Sequence, residues 1–417
     1  MSGFEPGGRP LSILIVTPSL PYPPIWGFGI RVYQIIRGLS RRNRVWLCCY
    51  GGREGDDAAV AALGRFCEGV TVVPVPEAPR RTRRRQQVAT ALSTGSYHRR
   101  RLGHRGMQQA IDRLLAERDF DVVQVESSHM AGFDFSAAPV VVLDEHNLEY
   151  ELLRRASGIE RSPVRRLYAR FEAAKVFREE RRSWSSVSGC IVTSERERAI
   201  VETVAPRLAT AVVPNGVDTD YFRPADIAAD PDGLVLTGLM TYRPNADGAV
   251  HFARDILPIV RRARPQATFT AVGWGLPAGL KPLLDGGTRS TGRVPDVRPY
   301  LSAAAAVVVP IRMGGGTRLK VLDGLAMARP MVSTRLGCEG LNVRDREHLL
   351  VADGAEAFAG AVVELLRNPA SAAEMGRRGR ALVAARYDWP AIIESLEGFH
   401  HRVLGARGGT VRTRVPA

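Results

Sequence analysis

Lysine is nearly absent from this chain. Of 58 lysines and arginines only Lys175, Lys281 and Lys320 are lysine, a bias read as genome composition rather than chemistry. Long apolar runs are lacking too: none approaches the ~18 residues that a membrane-crossing helix needs. The five cysteines, at 48, 49, 67, 190 and 338, form no CxxC pair. That speaks against a disulfide framework or a structural zinc site, and for reduced thiols in a cytosolic compartment. Residues 11–16 are apolar but end in Thr17-Pro18 with no small-residue cleavage site, so a secretory signal is not expected. No short internal repeat occurs. Acids are missing between Glu77 and Asp112, a window holding Arg80, Arg81, Arg83, Arg84, Arg85, Arg99, Arg100, Arg101 and Arg105. It reads as a solvated loop or as a patch for an anionic membrane or acceptor. No nucleic-acid-binding motif accompanies it, and nucleic acid is not expected as a partner.

What is present is globular material. The 417 residues are 45% hydrophobic and 24% charged with a net charge of +15, enough for two or three domains. Short Val/Ile-rich runs alternate with longer helix-like stretches. The runs are 11–17, 45–50, 70–75, 122–125, 140–143, 190–194, 211–213, 234–238, 268–273, 304–310, 331–334 and 349–352. Their hydrophobicity is nearly continuous, as in strands buried on both faces of a parallel sheet. The class is therefore α/β, doubly wound, and the strand number favours two sheets over one. Pro206, Pro214-Asn215-Gly216 and Pro224 punctuate the middle. We place domain one at 1–205 and domain two at 206–390. Residues 391–417 would form a helix packing back toward domain one, around the amphipathic stretch Ile392–Val403, and then a frayed tail.

In doubly wound domains ligands bind beyond the carboxyl ends of the strands. The residues just after the runs are therefore the informative ones, and two such domains facing each other would enclose a cleft. After the first run comes a Pro-rich loop with Trp26-Gly27-Phe28-Gly29. Its glycines let backbone approach a ligand, though GxGxxG is absent. Tyr22 and Trp26 either stack on a sugar or simply pack. After 140–143 comes Asp144-Glu145-His146-Asn147, where His146 is either an acid, base or donor, or a surface histidine. Gly238 ends a later run, and Arg243 follows it as a phosphate clamp or a structural arginine. The strongest segment is Gly314-Gly315-Gly316-Thr317-Arg318-Leu319-Lys320-Val321-Leu322-Asp323. Three successive glycines at a helix start expose N–H groups to an anion, and Arg318 and Lys320 add positive charge. An anion would relieve their conflict with the helix dipole. The spacing does not match GxxxxGK[ST].

Residues 314–334, with Leu336-Gly337-Cys338-Glu339-Gly340-Leu341, resemble the donor-site signature of retaining glycosyltransferases of family 4, GT-B fold, in a GGGTRLK-type subgroup. Val213–Asp218, Tyr242–Asn245, Val294–Leu301, Tyr22–Pro24 with Gly27, and Asp144–Glu149 fit the same resemblance. It implies two Rossmann-like domains facing a central cleft. The first would bind a saccharide, lipid-linked or small-molecule acceptor through Trp26, Gly27, Phe28, Gly29 and Asn147. The second would bind a nucleotide sugar through Gly238, Arg243, Gly314, Gly315, Gly316, Thr317, Leu322 and Asp323. Arg318 and Lys320 would hold the diphosphate, Asp323 the ribose hydroxyls, and His146 would lie near the reacting centre. Three positions depart from the family pattern. Gly315 stands at the first acid of the paired-acid motif, Leu239 at a phosphate-binding arginine, and Phe28 at a second glycine. The resemblance implies glycosyl transfer with retention, in polysaccharide, glycolipid or natural-product synthesis. The protein is expected to be cytoplasmic, at most peripheral at the membrane's inner face. Neither cofactor nor metal is expected, since no DxD-like motif ends a strand. A sugar-nucleotide epimerase and a non-catalytic scaffold of the same fold are the alternatives.

Overall fold

The computed structural model describes residues 9–53, 55–75, 90, 93, 95–160 and 162–407. Arg80, Arg81, Arg83, Arg84, Arg85 and the tail from 408, which the sequence singles out, lie outside the described residues. The chain divides into two units. One comprises the residues up to Pro214 together with those from Ile392 onward; the other is Asn215–Ala391.

The first unit is built on a seven-stranded parallel sheet. Its strands are β1 (Ser12–Thr17), β2 (Arg44–Gly51), β3 (Gly69–Pro74), β4 (Val122–Glu126), β5 (Val141–Glu145), β6 (Gly189–Val192) and β7 (Ala209–Val212), in the order β3-β2-β1-β4-β5-β6-β7. β1, β4, β5 and β6 are buried almost throughout, which is why their sequences read as continuous apolar runs. Helix Gly27–Leu39 covers the sheet with Val32, Ile35, Ile36 and Leu39, spaced to lie on one face. The same helix also buries an arginine, Arg31.

The second unit has six strands, β8 (Asp230–Thr237), β9 (Thr268–Val272), β10 (Thr288–Ser290), β11 (Ala304–Val309), β12 (Met331–Ser333) and β13 (Leu350–Val351), ordered β10-β9-β8-β11-β12-β13. In each sheet the order reverses at one point, between β1 and β4 and between β8 and β11. Crevices for ligands open at such points, beyond the strands' carboxyl ends.

Two expectations are corrected. The break after residue 205 falls instead after Pro214, because β7 pairs in parallel with β6 (Gly189 opposite Ala209, Val192 opposite Val212) and so completes the first sheet. β10 was not expected as a strand. It is three residues, Thr-Arg-Ser, at a sheet edge, too short and polar to show a pattern.

The chain from Ile392 lies with the first unit as part of helix Trp389–Arg407. It fits closely there. A Cβ on Gly38 would overlap the Ile393 side chain, and one on Gly189 would come within 2.8 Å of the Phe399 ring. Asn43 Nδ2 donates to Glu397 at 2.7 Å.

Candidate active site

Both reversal points carry the residues that the sequence singled out. In the second unit, Gly238 follows β8 directly, with φ +142°. Gly273 follows the neighbouring β9, with φ +139°. A Cβ on Gly273 would overlap the Gly238 carbonyl, and one on Gly238 would stand 2.8 Å from Lys320 Nζ. Only glycine fits either place, and the result is bare backbone at the sheet's ligand-binding edge. Gly273→Ala is expected to lower the thermal midpoint by roughly 5 °C or more, because a left-handed backbone and a clash with main chain cannot be relieved by a rotamer change. An unshifted calorimetric midpoint in that variant would contradict this reading of the edge.

Lys320 is buried, one residue into helix Leu319–Ala326. Its Nζ donates to Asn245 Oδ1 at 2.5 Å, while Asn245 Nδ2 is held by the Leu239 carbonyl at 2.9 Å. Burial, reinforced by Arg318, pulls the Lys320 ammonium down to about 7, against the attraction of Asp323. Burial pushes the Asp323 carboxyl up to about 7, against Lys320. These are two groups of opposite sign, each close to losing its charge, at a helix start with open N–H groups. An anion would complete this arrangement.

The glycine turn before this helix has Gly314 and Gly316 at positive φ, +101° and +72°. Arg318 folds back to donate to the Gly315 carbonyl. Thr317 Oγ1 is buried with no hydrogen-bond partner among the described residues. Arg243 is exposed at the first residue of helix Arg243–His251. Leu322 does not join the cradle. It is fully buried in the apolar cluster of Val309, Val321 and Leu325, since its position on the helix points to the core rather than to the turn. Asn245, paired with Lys320, was not singled out as a site residue. Nor was Trp274, 59% exposed just past β9, whose signal was an aromatic between two glycines after a strand.

In the first unit the register of β4 and β5 sets Glu126 opposite Asp144, two buried carboxylates side by side. Polar partners answer them. Arg31 Nε and Nη2 grip Asp144 at 3.0 and 2.9 Å, and Arg31 Nη1 donates to the Pro214 carbonyl at 3.0 Å. His146 Nε2 lies 2.6 Å from Glu126 Oε2, and Gln124 Nε2 donates to Glu126 Oε1 at 2.7 Å. Burial raises the Glu126 carboxyl, Asp144 adds to the rise, and the His146 bond opposes it. The Phe28 ring stacks on His146, 4.5 Å between centroids and 23° between planes. His146 is thus neither a free surface histidine nor isolated; it is held on two sides.

The rest of the loop divides. Trp26, partly exposed, lies against its own helix, where a Cβ at Gly29 would come within 2.9 Å of the indole. Gly27 is exposed, Phe28 and Asn147 are partly exposed, and Gly29 is buried. Glu126, Asp144 and His146 are also spaced as three metal ligands would be. Arg31, however, already engages both Asp144 oxygens and Gln124 one of Glu126's. Arg31 and Glu126 were the partners missed by sequence reasoning. An acid ending an apolar strand and an arginine among the apolar positions of a helix were their signals.

Two doubly wound parallel-sheet units in tandem, each with its candidate site at the order reversal, define the GT-B fold. Residues 26–221 match the family described as Glycosyltransferase Family 4, and residues 231–368 match Glycosyl transferases group 1. Both matched families are glycosyltransferase families, and together the two matches span most of the chain. The D-inositol 3-phosphate glycosyltransferase of Acidothermus cellulolyticus is 29% identical over 222 residues, 47% of this chain and 48% of that protein. The match thus spans about half the length of that relative. Among solved structures, sucrose-phosphate synthase from Thermosynechococcus elongatus superposes with a TM-score of 0.69 at 18% identity, covering 95% of this chain and all (100%) of that one. HepE of Anabaena, solved in complex with UDP and glucose, superposes with a TM-score of 0.66 at 13% identity, covering 94% of this chain and 100% of that one. At these identities the structures speak for the fold.

Proposed function

We propose that the protein transfers a sugar from a nucleoside-diphosphate sugar to an acceptor hydroxyl, with retention at the anomeric carbon. The observation that carries this is the buried Lys320, oriented by Asn245 behind the bare backbone of Gly238. A departing diphosphate develops negative charge as the sugar leaves. Fixed donors already aimed at that charge lower the barrier without reorganising. Lys320, Arg318 and the N–H groups of Gly314–Thr317 would supply them, with Arg243 at the mouth. Asp323 would accept from the ribose hydroxyls. The first unit would hold the acceptor at Gly27, Phe28 and Asn147, with His146 locked by Glu126 and Phe28 beside the transferring sugar. The reading includes no resident metal: in the one cluster of suitable spacing among the described residues, both Asp144 oxygens are held by Arg31 and one Glu126 oxygen by Gln124. The acceptor class fits a saccharide, lipid-linked or small polyol. The inositol phosphate named for the relative favours a phosphorylated polyol.

Calorimetric titration with UDP, GDP, dTDP and ADP tests the donor half. One of them is expected to bind saturably; silence from all four would remove the basis of the proposal. Retention is read separately, from the anomeric configuration of product by NMR. Donor consumed with no acceptor present would point to an epimerase instead.

The lowered Lys320 has a thermodynamic signature. At pH 8 the free site holds it largely unprotonated, since burial brings it down to about 7. A bound diphosphate favours the charged form, so binding at pH 8 is expected to take up protons, approaching about one per site. The apparent enthalpy should then vary with the buffer's ionisation enthalpy. Lys320→Met should abolish that dependence, and its persistence there would assign the proton elsewhere.

A further inference from the structure

Helix Pro163–Ser186 in the first unit has two apolar faces. One is buried and holds Ala173, Val176 and Trp184. The other is open: Val164, Leu167 and Phe171 are 78%, 56% and 59% exposed. Steps of three and four residues put these three on one side of a helix. A helix anchored by its first face has no packing use for a second. Contiguous exposed apolar groups of this size mark a surface that something covers.

The charges around the stripe have one sign. Arg165, Arg166, Arg170 and Arg178 are exposed on the same helix. From 163 to 178 the single acid, Glu172, is buried and paired with Lys175 at 2.9 Å. Helix Tyr97–Leu102 is fastened alongside. Tyr97 N donates to Glu172 at 3.0 Å, and Ser96 Oγ to Glu179 at 2.6 Å. This adds the exposed Arg99, Arg100 and Arg101.

We propose that this face docks on an anionic lipid bilayer. Val164, Leu167 and Phe171 would enter the boundary between headgroups and acyl chains, and the flanking arginines would meet lipid phosphates. Apolar side chains on a surface helix rimmed by arginine are the composition of interfacial binding. Charge complementarity selects this occupant. A second copy would bring arginine against arginine. The segment 76–89 has five arginines and one acid, so it shares the helix's sign. The inference does not depend on which donor or acceptor the protein uses.

The test is co-sedimentation of the full chain, without nucleotide, with vesicles of phosphatidylcholine alone or with roughly a third phosphatidylglycerol. Binding is expected only to the anionic vesicles and should weaken with salt. Leu167→Glu/Phe171→Glu should reduce the partition coefficient at least about tenfold. Arg170→Gln/Arg178→Gln should reduce it by about fivefold per charge removed. Thermal midpoints of both variants should stay at the wild-type value, since the four positions are exposed. Absence of binding to anionic vesicles, or equal binding by the Leu167→Glu/Phe171→Glu variant, would overturn the proposal. So would a wild-type dimer in sedimentation velocity that the same variant dissolves, because that would give the face to a second copy.

Discussion

Lys320→Ala is expected to weaken binding of the preferred nucleoside diphosphate by about a hundredfold or more, and to cut turnover by about 10²–10³. The fold should survive. The folded protein pulls this lysine from 10.5 to about 7, so the folded state disfavours its charged form. A depressed basic group contributes nothing above its unfolded value. As pH falls through the window from 10.5 to 7 its cost grows, and below 7 the full cost is present. Removing it should therefore leave stability near neutral pH unchanged or slightly raised. Calorimetry and thermal melting on one preparation separate the two effects. Unchanged diphosphate affinity would refute the cradle, and a lower melting midpoint would refute the electrostatic account of the buried ammonium.

Arg31→Ala should have the opposite profile, with a stability loss as its main effect. The guanidinium is buried against a buried Asp144, and Asp144 faces Glu126 across β4 and β5. Without Arg31 two adjacent buried acids lose the guanidinium that faces them. Breaking one side of such a pair costs about 3–5 kcal/mol. Urea unfolding should report that loss as a shift in midpoint at constant slope. Arg31→Leu/Asp144→Leu, which removes both charges, should recover much of it. A loss below about 1 kcal/mol for Arg31→Ala would place the pair with surface ion pairs.

These two sites differ in how far they could be read in advance. The glycine turn proposed to hold the donor was legible because its residues are local. The glycines at 314–316, Arg318 and Lys320 lie within seven consecutive residues, and a run of glycines at a helix start has few other physical uses. Arg31–Asp144 spans 113 positions and His146–Glu126 spans 20, and no periodicity links such partners. The strands were legible for the same reason as the cradle: a strand buried on both faces shows its hydrophobicity without any partner. β7 was found as a run but attached to the wrong sheet. Pro206 marks a turn, and nothing in four residues states which neighbour they pair with. The stripe Val164–Leu167–Phe171 was hidden in another way. Its helix is apolar on two sides, and only the fold shows which side is covered.

The course of the chain through the two units also bears on how the protein is made. Asn215–Ala391 is one continuous stretch, whereas the first unit is split around it and needs Ile393, Glu397 and Phe399 against Gly38, Asn43 and Gly189. During synthesis the second unit can close as soon as it emerges. The first, although its strands leave the ribosome earlier, must wait with an open flank until Ile393, Glu397 and Phe399 have emerged. Of these two units, the one begun first is the one completed second.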